Sequence, residues 1–264
     1  MKPLQVDIAG IGLLGPGLPG WGGSVGPLTG GAPFQAVPPV LPPVEALPPA
    51  ERRRVGVAIR LAMTVGFEAA RDAGADPARL PTVFSSTGGD TDNCHAILET
   101  LSSADRSLSP TRFQNSVHNA PAGYWSIATR CEAASTSLCS FDATFASALL
   151  EAAVQVLSDG GACLLIAYDT PYPEPLVSLR PISHAMGVGL VLRPAAGASP
   201  RGRLTIRATG DAPTRLADPG LDSLRGSTPV GRSLPLLRQL AARERGRVVI
   251  EYLDPMHLAV EVEP

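Results

Sequence analysis

Leu4 to Ile8 alternates apolar and polar positions like a strand and runs into Ala9-Gly10-Ile11-Gly12-Leu13-Leu14-Gly15. From Gly15 to Ala50 the pattern dissolves. There 18 of 36 residues are glycine or proline (8 and 10), which predicts a loop packed on the fold through Trp21, Phe34 and several leucines. Helical periodicity begins at Glu51 and holds to Ala73, with Val55, Ile59, Ala62, Met63 and Ala70 on one face. Gly74 followed by Asp76-Pro77 ends it. Thr82–Ser86 reads as a short strand entering Thr87-Gly88-Gly89-Asp90.

The centre of the chain is more regular. Ser135–Phe141 alternates small polar and apolar residues, as in a strand buried on one side. Without any glycine or proline it becomes the helix Ala143–Leu157, in which only Glu151 and Gln155 break an apolar surface. A helix apolar nearly all round belongs inside a fold. Gly160-Gly161 stops it, and Ala162–Tyr168 is a continuous apolar strand. Strand, buried helix and buried strand predict a βαβ unit with parallel pairing. Met186–Leu192 and Arg203–Ala208 add strands, Ser233–Arg243 a helix, and Val248–Tyr252 with Leu258–Val262 a hairpin turning at Asp254-Pro255. No repeat or linker interrupts the chain, so residues 1–264 are expected to form one α/β domain.

Composition narrows the field. The 264 residues suffice for a continuous core. A net charge of −2 gives no electrostatic footprint for nucleic acid or an anionic membrane. No run reaches the roughly 18–20 apolar residues of a membrane span, and Met1–Ala9 lacks a signal-peptide pattern. Cys94, Cys131, Cys139 and Cys163 form no C-x-x-C pair. They read as free thiols in a reducing cytoplasm, with no metal or cofactor implied.

Several strings invite chemistry. Gly10 to Gly15 spells G-x-G-x-x-G after a strand, but Pro16, Gly17, Pro19 and Gly20 follow at once. No helix can then present its N-terminus to a pyrophosphate, and the dinucleotide reading fails. Asp90-Thr91-Asp92-Asn93 starts like a calcium loop, yet His95 stands where the glycine is required. The corner Ser140-Phe141-Asp142-Ala143 is where a strand hands over to a helix, a place at which helix dipoles activate nucleophiles. Here it holds Asp142, which reads as an N-cap worth about 1 kcal/mol. Cys139, three residues earlier, reads as a buried and inert thiol, and His118 as a structural histidine or a base.

Taken in order, these pieces resemble the β-ketoacyl-ACP synthases, which have the thiolase fold. The resemblance rests on Val6-Asp7-Ile8-Ala9-Gly10-Ile11-Gly12 with Trp21, the helix before Gly74, and Phe84-Ser85-Ser86-Thr87-Gly88-Gly89. It continues through Ser109-Pro110, Asn119-Ala120-Pro121-Ala122-Gly123 and Ser135-Thr136-Ser137-Leu138-Cys139-Ser140-Phe141-Asp142. It covers roughly residues 4–195 and implies a layered α/β fold with a central mixed sheet. The first thiolase half would be largely complete and the second truncated, residues 196–264 forming a short remnant.

The departures carry the functional expectation. Catalytic members have a cysteine at the elbow, where this chain has Asp142. Their second half supplies two histidines, whereas only His257 follows residue 195. A carboxylate attacking a thioester would make a higher-energy anhydride, and decarboxylation needs groups to stabilise the enolate. The chain therefore resembles a chain-length factor, in particular the short partners of aryl polyene pathways: a non-catalytic subunit pairing with an active ketosynthase on chains carried by acyl carrier protein. By this resemblance strand 135–141 pairs edge to edge with the ketosynthase, and segment 108–126 lines the end of its acyl tunnel. Phe113, Val117 and Tyr124 would limit tunnel depth, with His118, Asn119, Ser137, Cys139 and Phe141 at the same surface. Two rivals stand beside it: a degenerate acyltransferase or thioesterase using Cys139 or Asp142 with His118, and a free-standing acyl-carrier-protein-binding module.

Overall fold

The computed structural model describes residues 3–196 and 201–264. Strand β1 (Leu4–Leu14) is followed by α1 (Trp21–Thr29), the single turn α2 (Pro49–Arg52) and α3 (Val57–Asp72). Then come β2 (Thr82–Ser85), α4 (Thr91–Ser102), α5 (Pro110–Asn115), α6 (Ala120–Thr129) and β3 (Ser135–Leu138). A 3-10 turn, Phe141–Ala143, leads to α7 (Thr144–Asp159) and β4 (Cys163–Asp169). The chain continues through α8 (Leu176–Leu179), β5 (Met186–Pro194), β6 (Gly202–Thr209) and α9 (Pro219–Ser227). After a second 3-10 turn, Pro229–Ser233, it ends in α10 (Leu234–Ala242), β7 (Gly246–Leu253) and β8 (Met256–Glu263).

Among the described residues eight strands form one sheet in the order β3-β2-β4-β5-β1-β6-β8-β7. β2 runs parallel to both β3 and β4, and the remaining pairs are antiparallel. The predicted βαβ unit is β3–α7–β4, with β2 inserted between its two strands. Alternation along β4 divides the core: Leu164 and Ile166 pack with Leu61, Val65 and Trp125 from α3 and α6. Leu165 and Ala167 face Phe145, Leu149 and Val156 of α7 and Leu237 of α10. Two helical layers thus enclose a mixed sheet, as the resemblance implied. The C-terminal hairpin forms at the predicted turn and extends that sheet through β6.

β1 runs six residues past its predicted end at Ile8, through the glycine-rich string. The string's role is steric. A Cβ on Gly10 would lie 2.3 Å from the Ala69 carbonyl oxygen, and one on Gly12 2.1 Å from that of Val65. On β5, Gly189 would place a Cβ 2.3 Å from the same Val65 oxygen. These glycines let α3 lie directly on the sheet backbone.

Other boundaries differ from the sequence pattern for identifiable reasons. The predicted helix from Glu51 divides into α2 and α3, because the extended Gly56 sits between them as the N-cap of α3. In the segment expected to be loop, α1 forms in spite of Pro27. The Glu68 carboxylate accepts the Trp21 N–H at 2.6 Å and the Leu13 N–H at 2.9 Å, satisfying the start of that helix. The calcium-loop-like string is a helix start: Asp90 caps α4 by accepting the Asn93 N–H at 3.0 Å.

Candidate functional site

The elbow is built where β3 ends. β3 is the outermost strand of the sheet, paired on one side only, with β2. Its predicted extent to Phe141 is shortened because the ladder stops at Leu138. The chain then turns through Cys139 and Ser140 to Phe141, which adopts a left-handed φ of 51°. For a bulky residue that conformation costs about 1–3 kcal/mol. Two hydroxyls hold the turn by donating to the Phe141 carbonyl, Thr144 Oγ1 at 2.6 Å and Thr87 Oγ1 at 3.0 Å. Thr144 Oγ1 also accepts the Ser140 N–H at 3.1 Å.

Asp142 is not the cap of α7. The cap position belongs to Ala143, which makes no side-chain capping bond. The Asp142 carboxylate receives two guanidinium groups instead. Arg180 Nη2 lies 2.5 Å from Oδ1 and Arg232 Nη2 3.2 Å from Oδ2. Arg232 is also bonded through Nε to Glu251, and Glu251 accepts Arg225 Nη1 at 2.7 Å. Arg225 Nε donates to Asp222 at 2.7 Å. An alternating chain of charges thus runs from the elbow to α9, spanning both predicted thiolase halves. Beside Asp142, Arg180, Arg232 and Pro229 lies a cavity of about 350 Å³.

Thr87 links the elbow to the buried end of β4. Its N–H donates to Asp169 at 2.9 Å, its carbonyl accepts Cys139 Sγ at 3.3 Å, and its hydroxyl accepts Arg180 Nη2 at 3.1 Å. Asp169 is fully buried and also accepts the Val230 N–H at 2.8 Å. Burial pushes its carboxyl up to about 6, against the pull of those two backbone bonds.

The structure corrects the expectation for Cys139, whose thiol is exposed. Cys139 lies one residue past the end of β3, where the alternation of the strand no longer turns it inward. Cys131 and Cys163 are the buried thiols, and burial raises Cys163 to about 12. His118 is half-buried and its Nε2 lies 3.0 Å from the Ser86 carbonyl. A carbonyl can only accept, so that nitrogen carries the hydrogen. The polar contacts of Cys139, Asp142 and His118 among the described residues go to Thr87, the two arginines and Ser86, not to one another.

The tunnel candidates separate into two groups. Phe113 and Val117 are exposed at 67% and 54%. Asn119 and Ser137 line one cleft of about 470 Å³ between α6 and β3, which places segment 108–126 beside the open edge. Tyr124 faces inward at 3% exposure among Val44, Leu47, Ile59 and Met63, its hydroxyl donating to Asn115 at 3.1 Å. It packs this chain's own interior and cannot line a tunnel in a partner. By length and composition Phe141–Asp159 could cross a membrane, but Phe145, Ala148, Leu149 and Ala152 bury its apolar surface in the core. Sequence reasoning missed Thr87, Arg180, Arg232 and Asp169.

A mixed sheet between two helical layers, with a strand-to-helix elbow beside an open edge strand, is the arrangement the resemblance to thiolase-like ketosynthases implied. The family profile described as beta-ketoacyl synthase, N-terminal domain, matches residues 30–247, and the chain belongs to that family. No curated protein sequence gives a significant match. Among solved structures, the chain is similar to one from the complex of the ketosynthase ApeO with its chain length factor ApeC from Xenorhabdus doucetiae. The TM-score is 0.76 at 21% identity, covering 98% of this chain and 99% of that one. A chain of the ishigamide ketosynthase/chain length factor gives 0.71 at 13% identity, covering 98% and 99%. The fit to a β-ketoacyl synthase from Burkholderia phymatum STM815 gives 0.60 at 16% identity. It covers 92% of this chain and 71% of that one.

Proposed function

We propose that this chain is a chain-length factor: a subunit without condensing activity that pairs with an active β-ketoacyl-ACP synthase in the cytoplasm and shapes the acyl tunnel for chains held on acyl carrier protein. The observation that carries the reading is Asp142. At the corner the resemblance assigns to the nucleophile, it is ion-paired to Arg180 and Arg232, which commits its oxygens and puts no thiol or hydroxyl at that position. Similarity to chains of ketosynthase and chain length factor complexes supports the pairing, as does the open β3 edge. Pairing would add a partner strand to that edge and bring Phe113 and Val117 to the joint. Residues 196–264 would be the remnant of the second thiolase half, and the whole chain one domain.

Affinity capture of this chain from its own source tests the reading. A co-purifying ketosynthase carrying the cysteine and both histidines, with product formed only by the pair, is the expected result. Capture of carrier protein alone would favour the binding-module alternative. The exposed thiol of Cys139 makes the acyltransferase alternative testable by iodoacetamide labelling of the isolated chain. Cys94 and Cys139 should label at similar rates and Cys163 should not. A Cys139 rate tenfold above that of Cys94, with covalent acylation of the chain, would refute the non-catalytic reading.

A further inference from the structure

Phe141 combines two features that rarely coincide. Its backbone is held in the left-handed region, which a phenylalanine avoids, and its side chain is 63% exposed. A residue strained for the sake of packing would bury its ring. This ring is instead gripped on one face by Arg180, whose guanidinium carbon lies 3.7 Å from the ring centroid. The other face is open. Arg180 is itself fixed by Asp142 and Thr87, and Thr87 also bonds the Phe141 carbonyl. Four residues therefore fix this exposed residue: Arg180, braced by Asp142, on its ring, and the Thr87 and Thr144 hydroxyls on its backbone carbonyl.

We infer that Phe141 is a preset anchor for the partner ketosynthase and that Arg180 is the positioning residue that holds it ready. The inference rests on the partner-subunit reading and deepens it. The occupant is fixed by continuity: Phe141 lies three residues beyond Leu138, the end of the open ladder, so a strand added to β3 passes beside the ring. A ring whose orientation is set before binding loses little freedom on docking, and large rigid aromatics dominate interface energetics. The surface it fits is an apolar pocket beside the ketosynthase's own edge strand. On this account the former nucleophile elbow keeps its strained turn for recognition, and the ion pair at Asp142 serves to orient Arg180.

The test uses the intact chain and the ketosynthase that co-purifies with it, reading the dissociation constant by surface plasmon resonance and the thermal midpoint of the isolated chain. Phe141→Gly should weaken pairing about tenfold, or about 1.4 kcal/mol, while the isolated chain keeps or raises its midpoint, because glycine is at ease at this φ. Arg180→Gln should weaken pairing severalfold in the wild-type background and not at all when combined with Phe141→Gly. Pairing within twofold of wild type for Phe141→Gly would overturn the inference. So would an Arg180→Gln loss of equal size in both backgrounds. Should Arg180→Gln fail to fold, Phe141→Gly alone decides. A wild-type chain that binds no ketosynthase would overturn the partner-subunit reading and this inference together, whereas normal wild-type binding with an indifferent Phe141 would overturn this inference alone.

Discussion

Replacing Asp142 separates a helix cap from an ion-pair anchor. As a cap, asparagine would serve as well as aspartate, and Asp142→Asn would be silent while Asp142→Ala lost about 1 kcal/mol. As an anchor, both variants lose the charge that Arg180 and Arg232 share, and both should be destabilised alike. The size follows from exposure. The two guanidinium side chains are 20% and 13% exposed and the carboxylate 40%, so the pairs are partly desolvated but still screened. Each arginine also keeps other partners, Arg180 at Thr87 and Phe141, and Arg232 at Glu251. Charge-assisted bonds are worth about 1.5–3 kcal/mol when buried. Discounting for the exposed carboxylate leaves about 2 kcal/mol for the pair together, a drop of about 4–8 °C in thermal midpoint for a chain of this size. Calorimetry on wild type, Asp142→Asn and Asp142→Ala at low and high salt reads it directly. Asp142→Asn at wild-type stability, beside a destabilised Asp142→Ala, would refute the anchor and restore the cap. With the ketosynthase in saturating excess, product yield should be unchanged with either variant, since Asp142 is assigned no chemical step and acts on pairing only through Arg180.

Val117→Phe should shorten the product of the pair if segment 108–126 closes the tunnel, read by mass spectrometry of the released chains; unchanged length would remove Val117 from that role. Asp169 predicts an unusual pH response. Its folded value of about 6 lies above the unfolded value near 4, so the folded chain holds a proton that the unfolded chain has released. Stability from this group is therefore present at the acid end and lost as pH rises through that window, by up to about 3 kcal/mol. Asp222, held below its usual range first by its hydrogen bond to Arg225, acts in the opposite sense only below about 4. Thermal midpoints should rise from about pH 7 to about pH 5 and the slope should shrink in Asp169→Asn; a flat wild-type profile would refute the assignment.

Periodicity located β4, α7, the C-terminal hairpin and the elbow, because each has a strong apolar pattern or a sharp break in it. It missed α4 and α6. In α4 the buried residues are Thr91 and Asn93, while Leu98 and Leu101 point outward, so its hydrophobic pattern does not mark the core. α6 carries Pro121 and Gly123 in its first turn, residues of low helix propensity that mask its start. Asp142 could be singled out from its place between strand and helix, but its partners could not. Arg180 and Arg232 lie 38 and 90 positions downstream, brought back by the loop after β4 and by the turn before α10. Thr87 and Asp169 were hidden for the same reason: their bond joins the ends of neighbouring strands 82 positions apart. The exposure of Cys139 follows from the strand ending at Leu138 instead of Phe141, a boundary set by its ladder with β2.

The open side of β3 has a consequence for how such a chain is made. Its outer ladder is open, and Phe141, Cys139 and, on the flanking segment, Phe113 and Val117 stand exposed. Open strand edges and clustered apolar side chains are adhesive surfaces. Copies synthesised in excess over the ketosynthase would be the first to clump or to be degraded. Yield should then track the ratio of the two polypeptides rather than the amount of either, and production from a single transcript would suit the pair better than separate induction.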